Sequence, residues 1–298
     1  MKYRILGSTG MKVSVVGVGT WQFGGEWGPV PEQSHAAKMF DAARELGINL
    51  VDTAECYGDH ASERLVGAAI ERDREKWVLC TKFGHHFNGP FDRSEPRTPA
   101  DCVKQAEDSL KALRTTYLDL QQYHSWGNDK FFDDDVLAAM LKLKDQGKIR
   151  HLGNSISPNN NVKQVAVSND KQIEVIQVVY NRLDRVPEEA IFPICRDQKL
   201  GVLARVPLAS GYLSGKYKPG HQFDKDEVRG KWHKPEDRDA KLREVEKIMQ
   251  TELPAGVPMA QWALAWCLKD PTVTAVIPGC KDDKQVRDNA AAVKWVEG

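Results

Sequence analysis

An acid, a phenol, an amine and an imidazole sit at or just beyond the ends of short apolar runs. Asp52 falls at the end of Ile48 to Thr53, with Tyr57 in the loop after it, Lys82 ends Trp77 to Lys82, and His124 ends Leu118 to His124. Gathered at one place, these groups suit proton transfer to or from an oxygen. A free phenol titrates near ~10 and is a poor acid at neutral pH, so the Lys82 ammonium is expected to stabilise the phenolate of Tyr57 and lower that value. Asp52 would hold the ammonium in place, and His124 would hydrogen-bond and orient a substrate oxygen. The arrangement suits carbonyl reduction or alcohol oxidation. No protein side chain donates hydride, so that chemistry requires a nicotinamide cofactor.

Residues so far apart in the chain meet only if the runs that carry them are parallel strands ending at one rim. Eight such runs alternate with amphipathic helical segments: Val15 to Gly19, Ile48 to Thr53, Trp77 to Lys82, Leu118 to His124, Ile149 to Ser155, Val175 to Tyr180, Gly201 to Val206 and Val273 to Pro278. Ser155, Gln177 and Arg205 lie at or near the ends of the fifth, sixth and seventh. Helices are predicted over Gln33 to Leu46 and Asp135 to Gln146, each stopped by a glycine, and after Thr98, which can cap a helix with Pro99 in its first turn. Tyr3 to Leu6 and Met11 to Val15 flank a Gly7 to Gly10 turn cluster and read as a hairpin able to plug one mouth of a barrel. An open nucleotide-binding sheet should carry G-x-G-x-x-G after its first strand, but Gly17 and Gly19 are followed by Gln22 where the third glycine belongs. The expectation is an α/β fold: one (β/α)8 TIM barrel over 1–298 with long loops, the longest from about Ser210 to Pro235.

Composition narrows the partners. With 42 Lys+Arg against 42 Asp+Glu there is no net field to hold nucleic acid or an anionic membrane. The first residues turn polar before a signal-peptide core forms, no run of about 18 apolar residues occurs, and six scattered cysteines fit reduced thiols. A cytoplasmic location is expected. His85 and His86 lack an evident third ligand, so no metal is expected. Nothing in the chain fixes an oligomeric state.

Val51-Asp52-Thr53-Ala54-Glu55-Cys56-Tyr57-Gly58, Thr81-Lys82-Phe83-Gly84 and Tyr123-His124, in that order, resemble the Asp/Tyr/Lys/His tetrad of the aldo-keto reductase superfamily. Gly153-Asn154-Ser155, Gln177 to Asn181, Pro207 to Tyr217 and Ile277-Pro278-Gly279 fall at that family's cofactor-binding stations, so the resemblance covers nearly the whole chain. It implies Tyr57 as general acid, tuned by Lys82 and Asp52, with His124 directing the carbonyl. Ser155 and Gln177 would hold the nicotinamide carboxamide, Thr20 and Trp21 would line the mouth, and the loop through Leu208, Ser210, Lys216 and Arg229 would clasp the pyrophosphate. Gly279 ends the cofactor-binding station before it, and Lys281, Gln285, Asp288 and Asn289 would take the adenosine end, all four sharing one helical face by their spacing. Lys281 and Arg229 favour NADP(H) over NAD(H), because a 2′-phosphate calls for charge-assisted donors. The implied substrate is a small carbonyl compound or the corresponding alcohol or sugar. A slow-turnover nicotinamide sensor or accessory subunit is the alternative.

Two positions depart from the family pattern. Ile156 stands where Gly-Val-Ser-Asn has its amide, and Arg205 stands where many members stack an aromatic ring on the nicotinamide. A planar guanidinium can stack and donate, and its charge favours the reduced, uncharged nicotinamide. Trp21, Trp27, Phe87, Trp126 and Trp232 are candidates for a substrate wall.

Overall fold

The structure, a computed structural model, describes residues 1–296. Its aliphatic runs form β1 (Val18–Gly19), β2 (Leu50–Asp52), β3 (Val78–Phe83), β4 (Leu118–His124), β5 (Ile149–Ser155), β6 (Ile173–Val179), β7 (Gly201–Arg205) and β8 (Ala275–Val276). Each pairs in parallel with its neighbour in chain order. β1 and β8 then join. Gly17 N–H donates to Val276 O (2.9 Å), Val276 N–H to Val15 O (2.9 Å) and Gly19 N–H to Pro278 O (3.0 Å). Gly19 permits the close approach, since a Cβ there would stand 2.7 Å from Ile277 O. The closed ring with helices outside it is the (β/α)8 barrel expected from the sequence. The first and last strands are shorter than predicted because most of their contacts are isolated bridges and loop hydrogen bonds rather than a continuous ladder.

Side-chain alternation along these strands explains why the chemistry collects at one rim. Leu50, Cys80, Leu120, Val175, Leu203 and Ala275 form an apolar cluster inside the barrel, completed by Leu6 and Val13 of the N-terminal hairpin, Tyr3–Ile5 against Lys12–Ser14. The hairpin is therefore the plug of the lower mouth. Two residues further along, on the same inward side, come Asp52, Lys82, Gln122, Gln177 and Arg205, and two beyond Gln122 comes His124. Val51 and Ile176, between them, and Leu79, just before Cys80, pack outward against the helices.

Local chemistry sets the helix ends much as predicted. Thr98 and Asp101 form a reciprocal capping box at the start of Pro99–Ala112, while Gln33–Glu45 and Asp134–Asp145 stop just before Gly47 and Gly147. The long segment after β7 contains a 3-10 turn (Ala209–Ser214) and a short helix (Val228–Trp232). One element was not expected: an antiparallel hairpin, His86–Gly89 with Asp92–Ser94, in the loop after β3. Among the described residues no helix is long and apolar enough to cross a membrane.

Candidate active site

Asp52, Tyr57, Lys82 and His124 are brought together at the carboxyl ends of β2, β3 and β4. Lys82 is 1% exposed, and its ammonium donates to Asp52 Oδ2 (2.7 Å), Thr53 O (2.8 Å) and the Tyr57 hydroxyl (3.3 Å), so each of its three N–H groups has an acceptor. The other Asp52 oxygen accepts from Gln177 Nε2 (2.8 Å) and Gln122 Nε2 (3.2 Å). The buried carboxylate is thus paired and hydrogen-bonded on both oxygens, as burial of charge requires. The Tyr57 ring is flanked by Trp21, stacked at 6.2 Å, and by the edge of His124 at 6.0 Å.

The electrostatics differ from the expectation in one respect. Burial raises the Tyr57 phenol above its ordinary value, outweighing the downward pull of the Lys82 ammonium. Asp52 lies against that ammonium and itself pushes the phenol up, so the neighbouring cation moderates the rise without reversing it. Burial also disfavours the charge on Lys82, but Asp52 and then Tyr57 more than compensate and raise its value. His124 is held well below the usual imidazole range by burial, and then by His85, Lys82, Arg93 and Arg205. At neutral pH the set therefore comprises a protonated phenol, a charged amine and a neutral imidazole.

These groups open onto a cavity of about 630 Å³ whose lining includes Asp52, Tyr57, His124, Gln177 and Arg205. It also includes Thr20, Trp21, Leu208, Ser210, Lys216, Arg229 and Gly279, and finally Lys281, Gln285, Asp288 and Asn289. Lys82 and Ser155 lie beneath this surface. Ser155, 1% exposed, donates to Gln177 Oε1 (3.3 Å). Thr20 turns its hydroxyl inward onto Asp52 O (3.0 Å) and so braces the end of β2.

Several placements correct the sequence reading. Lys281 precedes the helix Asp283–Ala290 instead of sharing its face, because Asp282 caps that helix by accepting from Gln285 N–H (2.7 Å). Lys281 reaches across to donate to Trp27 O (2.7 Å), while Asp288 pairs with Lys284 and Asn289 donates to Cys280 Sγ. Arg229 is bonded by Glu227 through Nε (2.5 Å) and Nη2 (2.8 Å), which neutralises its charge. Of the aromatic candidates, Trp21, Trp27 and Trp232 line the cavity; Trp126 is wholly buried against Phe83 and Tyr123, and Phe87 does not reach the lining. His85 packs on the edge of His124 at 4.9 Å, and burial lowers its value to about 4.

The donor set fits a dinucleotide. Lys216 and Lys281 supply cations, and the turn at Ser210 and Gly211 is held in left-handed backbone at φ 58° and 91°. A Cβ at Gly279 would collide with the Gln22 amide at 2.1 Å. Arg205 donates to Ile156 O (3.3 Å) and leaves its buried Nε without a partner, so its guanidinium can still serve a ligand.

Sequence reasoning missed Gln122, Glu26, Phe91 and Arg93. Gln122 had a signal, since it lies two residues before His124 on the same inward side of β4. Glu26, 1% exposed, accepts from Trp21 Nε1 (2.5 Å), Phe91 N–H (2.9 Å) and Arg93 Nη2 (2.6 Å), tying the loop after β1 to the unexpected hairpin. Those contacts join distant loops, and no local pattern marks them.

Donors suited to a dinucleotide and groups poised for proton transfer share one cavity, which is the equipment of an NAD(P)H-dependent oxidoreductase. Comparison with known proteins narrows the class. The model of the Aldo/keto reductase family matches residues 15–296, and the chain belongs to that family. It is similar to the aldo-keto reductase YhdN of Bacillus subtilis (31% identity, covering 99% of this chain and 89% of that one). It is also similar to the NADH-specific methylglyoxal reductase of Escherichia coli (28% identity, 98% and 94%). Among solved structures, the holo form of aldo-keto reductase AKR11C1 from Bacillus halodurans superposes with a TM-score of 0.82 at 31% identity, covering 99% of this chain and 91% of that one.

Proposed function

We propose that this oxidoreductase reduces a small aldehyde or ketone with NADPH, Tyr57 acting as the proton donor, and that the same groups serve the reverse oxidation of an alcohol or sugar. The observation that carries the reading is the Lys82 ammonium within 3.3 Å of the Tyr57 hydroxyl and 2.7 Å of Asp52, beside a cavity that His124 also lines. A reduced nicotinamide, when bound, would supply the hydride for the carbonyl carbon. As negative charge grows on the carbonyl oxygen, the Tyr57 O–H transfers its proton there, and Lys82 stabilises the phenolate left behind. His124, neutral, hydrogen-bonds that oxygen and fixes its direction. Trp21, Trp27 and Trp232 give the site apolar walls. Gln177 and Arg205 would hold the nicotinamide end, with Ser155 bracing Gln177 from beneath, Ser210 and Lys216 the phosphates, and Lys281, Gln285 and Asn289 the adenosine end. On this reading the chain is one barrel domain working on small molecules.

The test is single-turnover oxidation of bound NADPH by reactive aldehydes, dicarbonyls and keto-sugars, followed at the nicotinamide absorbance. Consumption of NADPH by one of these classes is expected. No consumption by any would overturn the reductase and leave the accessory-subunit reading.

NADPH over NADH rests on Lys281, since Arg229 is neutralised by Glu227. Lys281→Ala is expected to raise the KM for NADPH about tenfold or more, the worth of one charge-assisted hydrogen bond, with little effect on NADH. Equal loss for both would move the 2′-phosphate contact elsewhere. Arg205→Ala is expected to weaken NADPH roughly tenfold more than NADP+, because a cation beside the ring disfavours its oxidised, positively charged form. Titration calorimetry with each form decides the matter, and equal weakening defeats the idea.

A further inference from the structure

The proton transfer proposed above uses His124 as a donor to the substrate oxygen, and a neutral imidazole carries its single proton on only one of two nitrogens. Which nitrogen carries it is set by the partner of the other. In this chain the partner of Nδ1 is Cys56 Sγ, at 3.6 Å. Among the described residues Nε2 makes no protein hydrogen bond, and the ring lines the cavity.

We propose that Cys56 is a positioning residue: its thiol donates to Nδ1 of His124 and thereby holds the imidazole as the Nε2–H tautomer, the form able to donate to a carbonyl oxygen. Three observations support the direction of that bond. Cys56 is 1% exposed, and burial pushes its thiol up to about 12, so the sulfur keeps its proton and acts as a donor. His85 from the loop after β3, Lys82 from β3, Arg93 from the hairpin and Arg205 from β7 all oppose a second proton on His124, so the choice of tautomer remains open to a weak donor. Cys56 also immediately precedes Tyr57, so one turn of backbone sets both the proton donor and the orienter of its partner. An S–H group is a weak donor, but it need only bias two neutral forms of one ring.

The inference rests on the proposed reaction for its purpose, though its primary readout requires no turnover. Long-range 15N–1H spectra of protein labelled in its histidine rings distinguish the tautomers, with His124 assigned by its loss in His124→Gln. The wild type should show Nε2–H at His124, and Nδ1–H there would overturn the proposal without recourse to any variant. Cys56→Ala should shift the tautomer ratio about three- to tenfold toward Nδ1–H, the factor that one net hydrogen bond is worth, and lower kcat in proportion to the fraction of His124 so converted, with NADPH affinity unchanged. Cys56→Ser should restore the single tautomer and most of kcat. A His124 that stays wholly Nε2–H in Cys56→Ala, or a mixed tautomer with undiminished kcat, would reduce Cys56 to packing. A protein that shows the expected tautomers but reduces no carbonyl would defeat the reaction and not the hydrogen bond.

Discussion

Tyr57→Phe is expected to lower kcat for carbonyl reduction by roughly 10²- to 10⁴-fold, the range that positioned proton transfer contributes. The substitution removes one oxygen and keeps the ring that stacks on Trp21, so NADPH binding should stay within about twofold of the wild type. Burial holds the phenol above its ordinary value of about 10. Reduction uses the protonated form, so its rate should be flat through neutral pH and decline only in alkali. Oxidation uses the phenolate, a small fraction at neutral pH, so that rate should climb with pH across the same range. Because His124 titrates well below 6.5, its protonation should not contribute a break near neutrality. Stopped-flow rates in both directions from pH 5 to 10 check all of this. A reduction rate that falls with a midpoint near pH 7 and is unchanged in Tyr57→Phe would assign the proton to another group.

The site was legible where it depends on strand periodicity. Polar residues two positions beyond an apolar inward layer must project into the barrel mouth, and Asp52, Lys82, Gln177 and Arg205 do so beyond Leu50, Cys80, Val175 and Leu203. The same rule applied to β4 would have added Gln122. Helix ends were legible from caps, and the misplacement of Lys281 came from weighing side-chain spacing above Asp282, whose partner three residues on is the usual sign of a helix start. Glu26, Phe91 and Arg93 were not legible, because they join loops far apart in sequence. Nor was the sign of the Tyr57 shift. It depends on depth of burial and on how far Asp52 offsets Lys82, and neither has a local signature.

Asp52 and Lys82 raise a different question, whether their pairing serves folding or catalysis, and removing one partner at a time separates the two. Lys82→Met is expected to destabilise the fold by about 3–5 kcal/mol, because it leaves a 4% exposed carboxylate whose remaining donors are the amides of Gln122 and Gln177. Adding Asp52→Asn removes the uncompensated charge, so the double variant should be more stable than Lys82→Met alone. Activity should not follow stability. The double variant lacks the ammonium that stabilises the Tyr57 phenolate, so it should remain as inactive in reduction as Lys82→Met even where its stability recovers. Urea denaturation and single-turnover rates on the two single variants and the double variant complete the cycle. If the double variant regained activity along with stability, the ammonium would be a structural counterion and the phenol would not depend on it. If neither recovered, the loss would lie in packing around Lys82 rather than in charge.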